Sequence, residues 1–518
     1  MQERYDAVTI GSGLGGLTAA ALAARAGKRV LLLERNRGFG GAATTYRHGA
    51  LTVEASLHDT TDPHDPRDPK ARIFRALGIL DELTFVPVGD FYQVRGGPFA
   101  TPFDLPTGQA AARERLAAAW PQHAKAFDRF FDRLQAVQEA IGTLGEQHDS
   151  LWWVLHAPLV PLKVWPLLRD LRLSLSEVLD QAFGGHEAPK LALAANLPYY
   201  GDDPDRLWWV FFAVAQGGYL SGGAYYVKGG SQALTDCLLR VLREEGGVAA
   251  SGRQVVEILL DGEGRAAGVV HAAADGSDRQ EVLAPLLFAN AAPQELARCL
   301  PQAARAAFLA PYEGRPLSIS LFSAAFGLSR PPQELGLERY STVLLPPWVE
   351  RLADYRRSAA LLAEPPGAAM PVMVAVNYSA IDSGLQQGGL HLVSAVGVDR
   401  LENWAGLEPA AYAARREQWL DAIQGAFERH FPGFSAAVTQ REMATAATLH
   451  HFLNTPGGAI YGFAPQPPAA LPPKMGERAL TTSVPGLLLA SSFGGFGGFT
   501  GAMMTGPLAA QTAVRHGL

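Results

Sequence analysis

The sequence predicts an α/β fold in which a parallel nucleotide-binding layer is split over the chain and interleaved with an α+β domain. Three stretches carry that expectation: a strand, glycine turn, helix and strand between Tyr5 and Gly41, a block of similar character from Ala224 to Pro293, and an apolar strand, glycine-rich turn and helix after Val484. At 518 residues and 48% hydrophobic content, the chain is too long for one core and apolar enough for two.

The opening stretch sets the pattern. An apolar run, Ala7 to Ile10, enters Gly11-Ser12-Gly13-Leu14-Gly15-Gly16; an alanine-rich segment follows, and a second apolar run from Arg29 to Leu33 ends at Glu34. This is the order of a Rossmann-like βαβ unit. Gly11 takes the tight turn, Gly13 lets the backbone approach a pyrophosphate, and Gly16 lets helix and strand pack closely. The helix aims its free N–H groups and positive dipole end at the phosphates, and Glu34 falls where a carboxylate accepts from ribose hydroxyls. A glycine triplet alone would say little in a chain with 55 glycines. Here the strands, the helix and the terminal acid agree with it.

After Glu34 come Arg35 and then Gly40-Gly41-Ala42, an E-R-x-x-x-x-G-G arrangement. It resembles the extended fingerprint of FAD-dependent oxidoreductases of the amine oxidase and phytoene desaturase superfamily. That resemblance implies FAD as cofactor, with the glycine pair passing beside its phosphates and ribityl chain. It also implies a glutathione reductase-like FAD-binding domain with an interleaved α+β substrate domain. The corresponding division is 1–69, 224–293 and 471–518 for the FAD-binding domain, and 70–223 and 294–470 for the substrate side.

Composition narrows the class. A net charge of −6 gives no electrostatic case for nucleic acid. Cys237 and Cys299 alone build neither a disulfide framework nor a cysteine metal site. The first strand starts close behind Met1, so the expectation is no signal peptide and a cytoplasmic protein, or one at the inner face of a membrane.

From Ala42 the chain reads as irregular, leading into a strand that returns toward the flavin. His58 lies there, a candidate for orienting substrate or relaying a proton; a histidine that only braces its loop is the other reading. The run HDTTDPHDPRDP is held extended by its prolines and reads as a solvated loop rather than a metal cluster. Lys70 to Gly145 has the three-and-four spacing of helices. The stretch 151–179 has three tryptophans, many leucines, and Lys163, Arg169 and Arg172, broken by prolines. It suits an interfacial element in peripheral contact with a membrane, and equally a buried helix pair. Leu207 to Leu220 reads as a core helix lining an apolar pocket.

Ala224 to Pro293 gives a glycine turn, an amphipathic helix from Ser231 to Glu245, hairpin strands, and an apolar strand into Asn290. By the resemblance, the backbone of Val255 contacts the adenine. Between Gln294 and Leu449, strands (Leu317 to Ala325, Pro371 to Asn377, His391 to Val398) and a helix (Ala410 to His430) read as a mixed sheet roofing the cofactor. His450 and His451 are expected on a strand, facing opposite sides. The following Gly458-Ala459-Ile460-Tyr461-Gly462 resembles an element of the phytoene desaturase and carotenoid isomerase branch. In the last stretch the resemblance places Gly498, Phe499 and Thr500 against the flavin ring, and Ser492 where many relatives carry Asp. Pro507 is expected near the first turn of the final helix.

Within the superfamily the chain resembles the phytoene desaturase, carotenoid isomerase and retinol saturase branch, and the activity this resemblance implies is hydride transfer between flavin N5 and a carbon of a long apolar isoprenoid, polyene or lipid-like substrate: desaturation, saturation or isomerisation. The rival readings are an amine oxidase type flavoprotein and a non-catalytic flavin-binding assembly protein.

Overall fold

The computed structural model of the chain describes residues 3–145, 159–386, 388–469, 477–495 and 497–515. The nucleotide layer is a five-stranded sheet in the order Val248–Ser251, Val30–Glu34, Ala7–Ile10, Leu286–Ala289, Leu487–Leu489. Every neighbouring pair in it is parallel. Strands from the start, middle and end of the chain thus lie side by side. Their residues are almost continuously apolar because helices or a second sheet cover both faces.

The opening helix, Leu14–Arg25, lies against the C-terminal helix, Gly498–Arg515. Their contact is made by small residues. A Cβ at Gly506 would stand 2.7 Å from Thr18 Cβ, and one at Gly15 would stand 2.6 Å from Thr505 Oγ1. Pro507 sits in the interior of the final helix and not in its first turn. The ring removes one backbone donor there, and the helix continues through it because it is anchored on both sides by packing.

A four-stranded sheet (Glu3–Arg4, Gln280–Leu283, Ala266–Ala273, Arg253–Leu260) flanks this layer. The helix Ser231–Glu244 follows Gly230, whose φ of 85° suits glycine. Glu54 ties it to the hairpin Thr45–His48 and Leu51–Glu54, accepting from the Ser231 backbone N–H at 2.8 Å, Ser231 Oγ at 2.6 Å and Tyr226 Oη at 2.9 Å. That hairpin is the strand expected to return from Gly41.

The roof is a seven-stranded sheet in the order Val438–Ala444, Ser320–Leu328, His391–Asp399, Met373–Asn377, Ser341–Leu345, Tyr92–Gly96, Phe99–Leu105. The last two strands correct the all-helical expectation for Lys70 to Gly145. Pro69–Leu77 is helical, then Phe85–Pro87, Tyr92–Gly96 and Phe99–Leu105 are extended before the helices Gln109–Ala119 and Ala124–Gly145 resume. Tyr92–Gly96 pairs in parallel with Ser341–Leu345, so its partner lies far along the chain. His450 and His451 belong to a helix, Ala446–Leu453, and not to a strand. Both are exposed, and His450 Nδ1 lies 2.7 Å from the Thr455 carbonyl.

Of the segment 151–179, residues 151–158 lie outside the described residues. The rest forms helices Val160–Asp170 and Leu175–Phe183. Val164 and Leu167 are buried, while Leu162, Trp165 and Leu168 are 71%, 60% and 52% exposed, an outward apolar face. Among the described residues no helix is long and apolar enough to cross a membrane. The helix Trp209–Gly222 is largely buried, as its composition predicts.

Candidate functional site

A cavity of about 2450 Å³ runs from the glycine turn of the nucleotide layer to the helices of the substrate side. At one end its wall is backbone. Gly11, Ser12, Gly13 and Leu14 line it, with Glu34, Arg35, Gly40, Gly41, Ala42 and Val255. Gly11 has φ 88°, and a Cβ there would stand 2.6 Å from the Asn290 carbonyl oxygen, so the turn is open only to glycine. Gly13 bridges Gly40, bringing the two glycine turns together. Gly15 and Gly16 lie behind this wall, where they take the close approach of Ala490 and Gly11.

Glu34 is 4% exposed and organises the turn. Its Oε2 accepts from the Ser12 backbone N–H at 2.9 Å and Ser12 Oγ at 2.6 Å, and its Oε1 accepts from the Asn36 N–H at 2.8 Å. Ser12 Oγ in turn accepts from the Gly40 N–H at 3.0 Å. A carboxylate has about four lone-pair sites, so Glu34 keeps capacity for a ligand hydroxyl beside these bonds. The opening helix starts at Leu14, on the cavity wall, with no side-chain cap, so its first-turn N–H groups have no side-chain acceptor and its positive end lies at the glycine end of the cavity. Arg35, half-buried on the cavity lining, donates from its guanidinium to the His451 carbonyl, and burial lowers its pKa. Asn290, expected only as the end of an apolar strand, donates from Nδ2 to the Ala490 carbonyl at 2.6 Å and closes the turn against the C-terminal strand.

The C-terminal turn forms the next wall. Ser492, Gly498, Phe499 and Thr500 all line the cavity. Gly462, at φ 77°, sits so near this turn that a Cβ would stand 2.7 Å from the Ser492 carbonyl oxygen. Gly497 likewise packs against Tyr461, so the Gly458-to-Gly462 element lies directly on the turn. Thr500 Oγ1 accepts from Lys70 Nζ at 3.1 Å, and that fully buried ammonium also reaches Thr61 Oγ1 at 2.7 Å and Asp68 Oδ2 at 2.9 Å.

Beyond the turn the wall carries Phe211, Val214, Ala215 and Ile141, and Gln135, Gln138 and Glu139 line it as well. His58 stands on it, 7% exposed, its ring 5.2 Å from that of Tyr199. Burial lowers its pKa to about 4, so the imidazole is neutral at physiological pH. The next residue, Asp59, was not singled out by sequence. Burial raises its carboxyl to about 7, and Tyr219 Oη donates to its backbone carbonyl at 3.2 Å. Asp59 is partly buried and lines the cavity. The aspartate-proline run beyond it holds Asp62, Asp65 and Asp68, and among the described residues no group of His, Cys, Asp and Glu is arranged for a metal.

Comparisons with known proteins agree with this geometry. Residues 9–71 match the family model of the NAD(P)-binding Rossmann-like domain. The all-trans-retinol 13,14-reductase of Homo sapiens is 29% identical over 311 residues, 56% of this chain and 47% of that one. The chloroplastic prolycopene isomerase of Arabidopsis thaliana is 26% identical over 522 residues, 93% of this chain and 78% of that one. The match to the mammalian retinol reductases spans about half of their length. Among solved structures, wild-type putrescine oxidase bound to putrescine superposes with a TM-score of 0.61 at 14% identity, covering 99% of each chain, a likeness of fold. By sequence the chain is similar to retinol 13,14-reductases, a phytoene desaturase and a prolycopene isomerase, and its fold, with a Rossmann-like nucleotide layer, is like that of putrescine oxidase.

Proposed function

We propose that the protein is an FAD-dependent oxidoreductase acting on C–C bonds of a long, largely apolar substrate of isoprenoid, polyene or lipid-like character. The observation that carries this is one continuous cavity that runs from glycine backbone and a helix start to a region where Phe211, Val214, Ala215, Ile141 and Tyr199 line it beside a few polar side chains. Glycine turns that no Cβ could enter, an uncapped helix start and a buried carboxylate fit an adenine dinucleotide. When bound, FAD supplies hydride chemistry at its N5.

The chain's own residues then have defined tasks. The amides near Gly13 and Leu14 hold the pyrophosphate, Glu34 the ribose, and Val255 the adenine. The start of the final helix, at Gly498, Phe499 and Thr500, faces the flavin ring with its positive end, which favours negative charge there. Lys70 reinforces that end through Thr500. Neutral His58 lines the wall as a hydrogen-bonding or proton-handling group, and the aromatic wall excludes water. The relatives' names span reduction, desaturation and isomerisation, and this machinery serves each of them.

The exposed face of Leu162, Trp165 and Leu168, beside Arg169 and Arg172, supports peripheral contact with an anionic membrane, from which an apolar substrate would be drawn. Cys237 and Cys299 are both free thiols, in keeping with a cytoplasmic-side location. The test is a visible spectrum of the purified protein followed by anaerobic addition of candidate polyenes. Flavin bands that bleach or recover with substrate support the reading; a colourless protein that takes up no FAD removes it.

A further inference from the structure

Lys70 is a fully buried cation behind the cavity wall, and its three hydrogen-bond partners, Thr61, Asp68 and Thr500, all line the cavity. A buried ammonium is costly unless each of its three hydrogens finds an acceptor. Here each does: Thr61 Oγ1 at 2.7 Å, Asp68 Oδ2 at 2.9 Å and Thr500 Oγ1 at 3.1 Å.

The three partners are not equivalent. Asp68 is placed by its own stretch of chain, since it caps the helix Pro69–Leu77 by accepting from the Lys70 N–H at 2.7 Å through Oδ1. Its Oδ2 is left for the Lys70 ammonium and for the hydroxyl of Thr61, which gives its hydrogen to Asp68 and a lone pair to Lys70. Thr500 comes from the other end of the chain, in the first turn of the helix Gly498–Arg515. Asp68 and, at longer range, Asp62 offset the ammonium's charge, but the bond to Thr500 comes from the cation. An oxygen that accepts from a cation turns its own hydrogen away from that cation and becomes the stronger donor.

We propose that Lys70 is a positioning residue for the flavin: acting through Thr500, it adds positive potential to the start of the final helix and sets how readily the bound ring takes up electrons. This rests on the reading of the cavity as an FAD site with Thr500 against the ring. It goes past that reading by assigning control of the ring's electron affinity to a side chain behind the wall. A ring that accepts a hydride gains negative charge, and a cation behind the helix start lowers the energy of that state. Removing the cation therefore makes FAD harder to reduce.

The experiment uses the full chain with FAD bound and two readouts that need no substrate. One is the reduction potential of the bound FAD, by equilibration with a reference dye; the other is the dissociation constant for sodium sulfite, read from bleaching of the flavin absorbance. Sulfite gives its lone pair to flavin N5 and the ring takes up the negative charge, so its affinity follows the same field. Lys70→Met keeps the length of the side chain and removes the charge. It is expected to bind sulfite about tenfold more weakly, with a potential about 30 mV lower, the two-electron equivalent of tenfold. Thr500→Val keeps shape and charges and removes the bonding oxygen, with an expected loss of about threefold, whereas Thr500→Ser restores the bond and stays within about twofold of wild type. Lys70→Met with Asp68→Asn removes both charges and is expected to fall between wild type and Lys70→Met. FAD content and melting temperature are measured on the same samples, because a purely structural role would change those and leave the potential and the sulfite affinity of the retained FAD unmoved. Yellow Lys70→Met and Thr500→Val proteins that match wild type in both readouts overturn the proposal and leave the FAD reading standing. Where Lys70→Met does not fold, the Thr500 pair decides: equal sulfite affinity in Thr500→Val and Thr500→Ser overturns it. A colourless wild type that takes up no FAD overturns both.

Discussion

Glu34 spends part of its charge on the protein itself, through Ser12 and Asn36, and part on the space in front of it. Replacing it therefore does two things: it loosens the latch from Ser12 to Gly40, and it deletes an acceptor for a ribose hydroxyl. Glu34→Ala is expected to weaken FAD binding by roughly tenfold to a hundredfold, measured by titrating apoprotein against flavin fluorescence, the range for losing charged hydrogen bonds. Ser12→Ala, which removes only the latch, is expected to cost less. A second consequence concerns the neighbours His58 and Asp59, whose shifts act on stability in opposite directions. His58 is held near pKa 4, so between there and its ordinary 6.5 the unfolded chain binds more protons and stability falls as pH drops. Asp59 is held near 7, so above its ordinary 3.8 the folded chain binds more protons and stability falls as pH rises. Across pH 4 to 6.5 the two slopes cancel. Asp59→Asn leaves only the His58 slope, and denaturation curves at three pH values in that window are expected to steepen by up to about 1.4 kcal/mol per pH unit. A variant profile parallel to wild type would show that Asp59 is not protonated in the native state. None of this was legible at Asp59 itself. Its environment comes from Tyr199, Tyr219 and Tyr461, which no local pattern connects to it, whereas Glu34 announced itself by standing at the end of a strand a fixed way beyond the glycines.

At the scale of elements, the Gly458-to-Gly462 segment and the C-terminal turn act as one piece, because Gly497 and Gly462 allow backbone contact where any side chain would intrude. Gly497→Val is expected to push Tyr461 away from the turn. The far-ultraviolet circular dichroism should be preserved and bound flavin lost, since the contact lies at the cavity and not in either sheet. The helix Val160–Asp170 offers a different test. Its buried side is short, and its outward Leu162, Trp165 and Leu168 have no cover among the described residues of the chain. Leu162→Ser combined with Trp165→Ser is expected to lower flotation with anionic vesicles severalfold while leaving melting temperature within a degree or two, because exposed positions contribute little to folding. Unchanged flotation would remove the membrane contact. Elements with strong local signals were readable: the strand Ala7–Ile10, the helix at Ser231 and the helix ending at His430 all stand where periodicity puts them. The strands Tyr92–Gly96 and Phe99–Leu105 were not. They are short and lie between helical segments; Phe99–Leu105 pairs with Tyr92–Gly96 as a hairpin, and Tyr92–Gly96 joins the sheet by pairing with Ser341–Leu345, a contact invisible to any window of local sequence. The same reasoning explains the histidine pair. Ala446–Leu453 is helical through the cap at Thr445, whose side chain accepts from the Thr448 N–H, and not through a clear apolar stripe.

At the scale of the whole molecule, the cavity's size carries the argument. Pockets for one small ligand run to about 300–1,000 Å³. At about 2450 Å³, this one has room for a dinucleotide and a second long ligand together. Its walls also come from every part of the chain: Gly13 near the start, Val255 in the middle, Tyr461 and Thr500 near the end. A cofactor gripping those walls ties the opening helix, the strand of Val255 and the C-terminal helix together, and the cavity reaches the seven-stranded roof at Leu321, so its binding energy should appear as stability of both layers. At a hundredfold excess over its dissociation constant, FAD is expected to stabilise the fold by about 2.7 kcal/mol, raising the midpoint of a thermal melt and bringing the melting of the two sheets together. Apoprotein, prepared by stripping the flavin, is expected to show a broader or two-step transition by calorimetry, and readdition of FAD should restore a single sharp one. NAD added in its place is expected to do neither, because the second glycine turn at Gly40 and Gly41 and the wall at Ser492, Gly498, Phe499 and Thr500 remain unfilled by a shorter reach. Equal sharpening by both nucleotides would place the grip at the Gly11-to-Glu34 unit alone and detach the C-terminal turn from cofactor binding.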